Sequence, residues 1–140
     1  MVNLRAGCVG VAGLMIMVCA LAGCSASDVG VARETRRGVP DGLVVDPLND
    51  RPIATWIERG ETFAIVTIGS GSCPPVATAL VAEVPDRVAV TFGPSPNDPC
   101  TADMSPTTHE FDLPEEITRL PVVLKIDYED WPETDTLTLR

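Results

Sequence analysis

The side chains able to do chemistry are few in this 140-residue chain, and they gather in two stretches. The first runs from Gly69-Ser70-Gly71-Ser72-Cys73 through Cys100 and Met104 to His109. Cys100, Met104 and His109 are ligand types that copper favours. The competing reading pairs Cys100 with Cys73 in a disulfide, and a second cysteine stands ready for it. Glycines surround the serines, yet Gly71 stands where a G-x-S-x-G elbow needs serine. Cys73-Pro74-Pro75 cannot open the helix that follows such an elbow. The segment therefore reads as a turn that aims Cys73 at its partner. His109 is the single histidine, so any Ser–His or Cys–His mechanism must use it. Strand alternation sets it in phase with Phe111 and Leu113 on an apolar face, with Glu110 and Asp112 turned the other way. That is the setting of a hydrogen-bonded structural histidine, with ligand contact or pH sensing as alternatives. No nucleophile–base pair is spaced for catalysis, and the chain reads as a non-enzyme that needs no cofactor.

The second stretch, Asp127 to Asp135, holds five acids in nine residues together with Tyr128 and Trp131. Hard oxygen ligands at that density could bind calcium, which makes Asp127, Glu129 and Asp130 weak candidates. The spacing does not match an EF-hand loop and the glycine for its sharp turn is missing. A solvated acidic turn, which also keeps edges from pairing, is the plainer reading. Within the first stretch lies GPSPNDPCTADMSPT (residues 93–107), long and proline-rich for a simple connection. A disulfide at Cys100 would pin its middle. Asn97, Asp98, Asp103 and Met104 would then be displayed on a rigid loop at one end of the domain, as a recognition surface.

What must position these residues begins with the N-terminus. Arg5 is followed by an uncharged run from Ala6 to Gly23, AGCVGVAGLMIMVCALAG. Its eighteen residues are the least that could span a bilayer. The basic residue ahead of it, its compact apolar core and the small residues at its end fit a signal peptide (1–23), with an uncleaved anchor as the alternative. Leu21-Ala22-Gly23-Cys24 resembles the lipobox of bacterial lipoproteins. The resemblance implies that Cys24 carries a diacylglyceryl group and becomes the first mature residue. Two acyl chains are also what stable anchoring takes. Either way the domain lies outside the cytoplasm, at the cell membrane. Cys8 and Cys19 leave with the leader and Cys24 takes the lipid, so Cys73 and Cys100 are the pair left for an oxidising compartment.

Residues 24–40 show no apolar periodicity and read as a flexible tether holding the domain on the order of 20 Å from the membrane. Arg33, Arg36 and Arg37 could rest on anionic headgroups, or simply be solvated. From Pro40 onward the chain carries all 13 prolines, which punctuate short runs rich in Val, Ile, Thr and Phe. That is a β pattern. Leu43–Val45 is expected as a first strand. Asp50-Arg51-Pro52 with IATWIER and Gly60 suggests one short helix, with a hairpin through Glu58–Glu61 as the alternative. TFAIVTI (residues 62–68) suits a strand covered on both faces. Val76–Val84 and Arg87–Phe92 flank a Pro85-Asp86 turn. Thr108–Leu113, Val122–Asp127 and Thr136–Leu139 follow. About seven short strands point to a small immunoglobulin-like β-sandwich over residues 41–140, with a small barrel second.

The segments GSGSCPP (69–75) and CTADMSPTTHEF (100–111) resemble a group of small lipoproteins of high-GC Gram-positive bacteria, across roughly Trp56 to Leu113. The resemblance implies a shared fold and anchoring and brings no activity with it. The formal charge is −10, and removing Arg5 with the leader makes the mature chain more acidic still. Such a surface repels phosphate backbones, which argues against nucleic acid and leaves neutral or cationic partners. The reading is a lipid-anchored binding or interaction module for a cell-surface protein or ligand, with a metal-handling lipoprotein (copper or calcium) as the alternative.

Overall fold

The runs of Val, Ile, Thr and Phe form strands throughout, and no helix occurs among the residues described by the computed structural model, 30–46 and 48–140. The expected signal peptide (1–23), Cys24 and residues 25–29 lie outside them. The strands are β1 (Glu34–Arg37), β2 (Ile53–Glu58), β3 (Thr62–Gly69), β4 (Val76–Val84), β5 (Arg87–Gly93), β6 (Ser105–Asp112), β7 (Val122–Tyr128) and β8 (Trp131–Leu139). They build two four-stranded sheets, ordered β1-β6-β3-β2 and β4-β5-β7-β8, that pack face to face as a β-sandwich.

Alternation decides which side chains meet between the sheets. Phe63 and Ile65 of β3 and Phe111 of β6 pack against Val88, Val90 and Phe92 of β5 and Val122, Leu124 and Ile126 of β7, all essentially inaccessible to solvent. Each such side chain contributes roughly 1.5–3 kcal/mol by leaving water. Phe63 stacks on Phe111 at 5.2 Å and takes the Trp56 ring edge-on at 6.4 Å. β3 is covered on its other face too, as its apolar sequence implies: Ala64 and Val66 are fully buried. Residues 38–43 run over that face, where the Thr108 hydroxyl donates to the Gly38 carbonyl at 2.7 Å.

Four expectations are corrected. The short helix is strand β2, paired antiparallel to β3 and turned back at Arg59-Gly60, the hairpin alternative. Its Ile53, Thr55 and Ile57 gain more as an edge beside β3 than a lone two-turn helix would gain in water. Gly60, which suited a helix end, instead supplies the positive φ (81°) of the hairpin turn, where Glu61 N donates to the Glu58 carbonyl at 3.0 Å. Leu43–Val45 is not a strand. The immunoglobulin arrangement has two antiparallel sheets. Here β5 and β7 run parallel in the middle of the second sheet, because the intervening β6 crosses to the first.

The fourth correction concerns the tether, which is folded from Gly30 onward. β1 pairs with β6 from Glu34↔Glu110 to Arg37↔Thr107, and Val31 N donates to the Ala77 carbonyl of β4 at 2.8 Å. Residues 30–37 thereby close the side of the sandwich between β6 and β4. Arg33 meets Asp112 and Arg36 meets Glu110, each at 3.1 Å, so these two guanidiniums are engaged within the domain.

Candidate functional site

One end of the sandwich collects the connection from β3 to β4, the long connection from β5 to β6, and the turn from β7 to β8. The Cys73–Cys100 disulfide joins the first two, with Cα atoms 5.3 Å apart. Cys100 therefore offers no thiolate, and the copper set does not assemble. His109 is enclosed in the core and Met104 stands 59% exposed at the loop.

Around the disulfide a small polar network fixes the loop. The Asp103 carboxylate accepts hydrogen bonds from the hydroxyls of Ser105 and Thr101 and, at 3.1 Å, from the Gly71 amide. These donors, Ser105 foremost and then Thr101, hold Asp103 well below the usual carboxylate range. Gly71 is required by closeness: a Cβ there would lie 2.7 Å from Asp103 Oδ2 and 3.1 Å from Ser105 Oγ. Thr101 N donates to Ser72 Oγ at 2.8 Å, and the Asn97 side-chain amide donates to the Ser72 carbonyl at 2.8 Å. Ser70 and Ser72 are thus turn residues with hydroxyl partners in the loop. Of the four loop residues read from the sequence, Asn97 and Asp103 are structural fasteners, while Asp98 and Met104 project into solvent. Beside the fastened loop lies a cleft of about 220 Å³, walled by Pro74, Pro75, Ser95, Pro96 and Asn97 and closed by Gly30, Ala32 and Thr35.

His109 is fully buried beside Thr35, one of the residues lining this cleft. Its Nε2 lies 3.1 Å from Thr67 Oγ1 and its Nδ1 lies 3.4 Å from Thr35 Oγ1, while the Phe92 ring packs edge-on at 4.9 Å. Two hydroxyls satisfy one donating and one accepting nitrogen of a neutral ring. Burial pushes its pKa down to about 4. Glu110 and Asp112 point to the opposite face and bind Arg36 and Arg33, so no carboxylate orients the imidazole.

The acidic stretch is dispersed rather than gathered. Asp127 accepts from Lys125 Nζ at 2.8 Å and Thr134 Oγ1 at 2.7 Å, and these contacts lower its pKa while raising that of Lys125. Glu129 accepts from Thr78 Oγ1 at 2.7 Å, and Asp130 is exposed in the turn. Among the described residues no three acidic, cysteine or histidine side chains converge as a metal site. Residues 131–135, instead of extending the turn, form the first part of β8.

Two further clefts escaped the sequence reading, because each is made by segments distant in the chain. One, about 510 Å³, lies on the outer face of the first sheet between Arg36, Glu110, Ile57 and residues 40–43. The other, about 370 Å³, lies between the starts of β2 and β8. Compared with known proteins, the chain matches no family model, no curated protein and no solved structure.

Proposed function

We propose that this chain is a lipid-anchored, extracytoplasmic binding module, held at the cell membrane by a diacylglyceryl group on Cys24, that meets a neutral or cationic cell-surface protein or ligand through its disulfide-fastened end. It acts without a catalytic group. The observation that carries the reading is the fastening itself. A disulfide, an exposed carboxylate with three donors, and a buried glycine all serve to hold one proline-rich loop in a single shape. A loop ordered in advance loses little entropy on binding, which is how rigid loops gain affinity. The anchor rests on Leu21-Ala22-Gly23-Cys24 following an apolar run.

Two measurements test the two halves. Cells fed a labelled fatty acid are expected to label the wild-type chain and leave Cys24→Ala unlabelled; an unlabelled wild type overturns the anchor. A photo-crosslinking side chain at Met104 is expected to trap a partner in intact cells, whereas one at Asp86, in the β4–β5 turn at the opposite end, is not. Equal trapping at both positions, or none at Met104, overturns the assignment of this end.

A further inference from the structure

We propose that the cleft between the starts of β2 and β8 is a binding site for an organic cation, an alkylammonium or guanidinium group, held against Trp131 and Tyr128 and by the carboxylates of Asp135, Glu133 and Asp50. The site goes beyond the function proposed above, and needs neither the lipid on Cys24 nor the fastened loop.

Side chains alternate between the two faces of β8. Leu139 and Leu137 face the core, and the next two positions on the same face are Asp135 and Glu133. Asp135 pairs with Ile126, which is fully buried. A carboxylate at an inward-facing position of a sandwich requires compensation by a cation or by donors. The cation present is Arg51, from the segment leading into β2. Its Nη1 lies 3.5 Å from Asp135 Oδ1, a single long contact. The arginine side chain is 76% exposed and the aspartate only 21%, so the pair is a seated carboxylate loosely capped from solvent. Exposed pairs of this kind contribute little and exchange readily.

The walls specify which cation fits. Trp131 is 61% exposed and pairs with Tyr128 across the β7–β8 hairpin. Ile68 and Pro52 complete the apolar part. Burial, then the nearby Asp135 carboxylate, push the Tyr128 phenol up to about 12, so it presents a neutral ring. Aromatic faces beside carboxylates attract ammonium and guanidinium groups, which carry both charge and weakly hydrated surface. A metal ion would need several oxygens converging on one point, and among the described residues no such group forms. Three carboxylates against one arginine make the cleft net negative within a chain of charge −10, so an anion is disfavoured. The volume of about 370 Å³ lies in the range of small-ligand clefts. Arg51 is then the occupant supplied by the chain itself, and a free cation competes with it.

The test is a titration of the full-length protein in detergent with agmatine, which carries a guanidinium and an amine, followed by backbone amide chemical shifts. The expected result is a saturable shift of Ile68, Tyr128 and Glu133, absent with the neutral analogue N-butylurea. Asp135→Asn is expected to weaken binding by about fivefold, and Trp131→Ala by about two- to thirtyfold. Arg51→Ala is expected to tighten it by up to about fivefold, since it removes the internal competitor. Unchanged amides at Val88 and Leu124 certify that each variant is folded. The proposal is overturned by no saturable shift at millimolar agmatine, by an equal response to N-butylurea, or by weaker binding in a folded Arg51→Ala.

Discussion

His109 shows how a single buried side chain couples the fold to pH. Folded, it takes a proton only near pH 4, because burial penalises the imidazolium; unfolded, it does so near the ordinary 6.5. Between those values the unfolded chain binds more protons, so stability falls as pH drops through that window and the loss is complete below about 4. The full loss is on the order of 3 kcal/mol. Urea melts of wild type and His109→Gln at pH 7 and pH 4.5 check this. The wild type should lose the larger share, and equal losses would place the histidine outside the acid response. The phase of His109 was legible, since Phe111 of β6 and Leu113 just past its end turn toward the same core. Its partners were not: Thr67 and Thr35 stand 42 and 74 residues away and meet it only through the β3–β6 and β1–β6 pairings. Sequence proximity likewise put Cys100, Met104 and His109 together, while the fold sends one to a disulfide, one to solvent and one to the core.

At the scale of elements, the fastened connection behaves as one unit. Gly71→Ala would drive a methyl into Asp103 and Ser105. The expected cost is roughly 1–2 kcal/mol of stability. Faster amide exchange confined to residues 97–105, with the β3–β6 ladder still protected, would locate the damage there. Strands whose alternation is internal, such as β5 and β7, were readable from the sequence. β1 was not, because Glu-Thr-Arg-Arg is polar on both faces and becomes a strand only where β6 offers it an edge. β2 was ambiguous for a different reason. Pro52 ahead and Gly60 behind punctuate a helix and a hairpin equally well, and only a neighbour such as β3 decides between them. The parallel β5–β7 pair requires an excursion through the other sheet, which no local pattern records.

For the whole molecule, the crosslink closes a loop of about 28 residues, which constrains the unfolded chain by roughly 3–4 kcal/mol. Replacing both Cys73 and Cys100 by serine should lower the melting temperature by roughly 15–20 °C in a domain of this size. A drop of only a degree or two would mean that the polar network around Asp103 suffices to hold the end together. Gly30 and Val31 lie against the first residues of β4, at the disulfide end. With the lipid on Cys24 as proposed, six residues separate the glyceride from Gly30, a reach of at most about 20 Å even when fully drawn out. On that proposal the fastened end would face the bilayer and the β4–β5 turn would point away from it. A partner of that end would then be met in a shallow slot above the headgroups, by lateral diffusion in two dimensions, in preference to a bulky soluble protein arriving from outside.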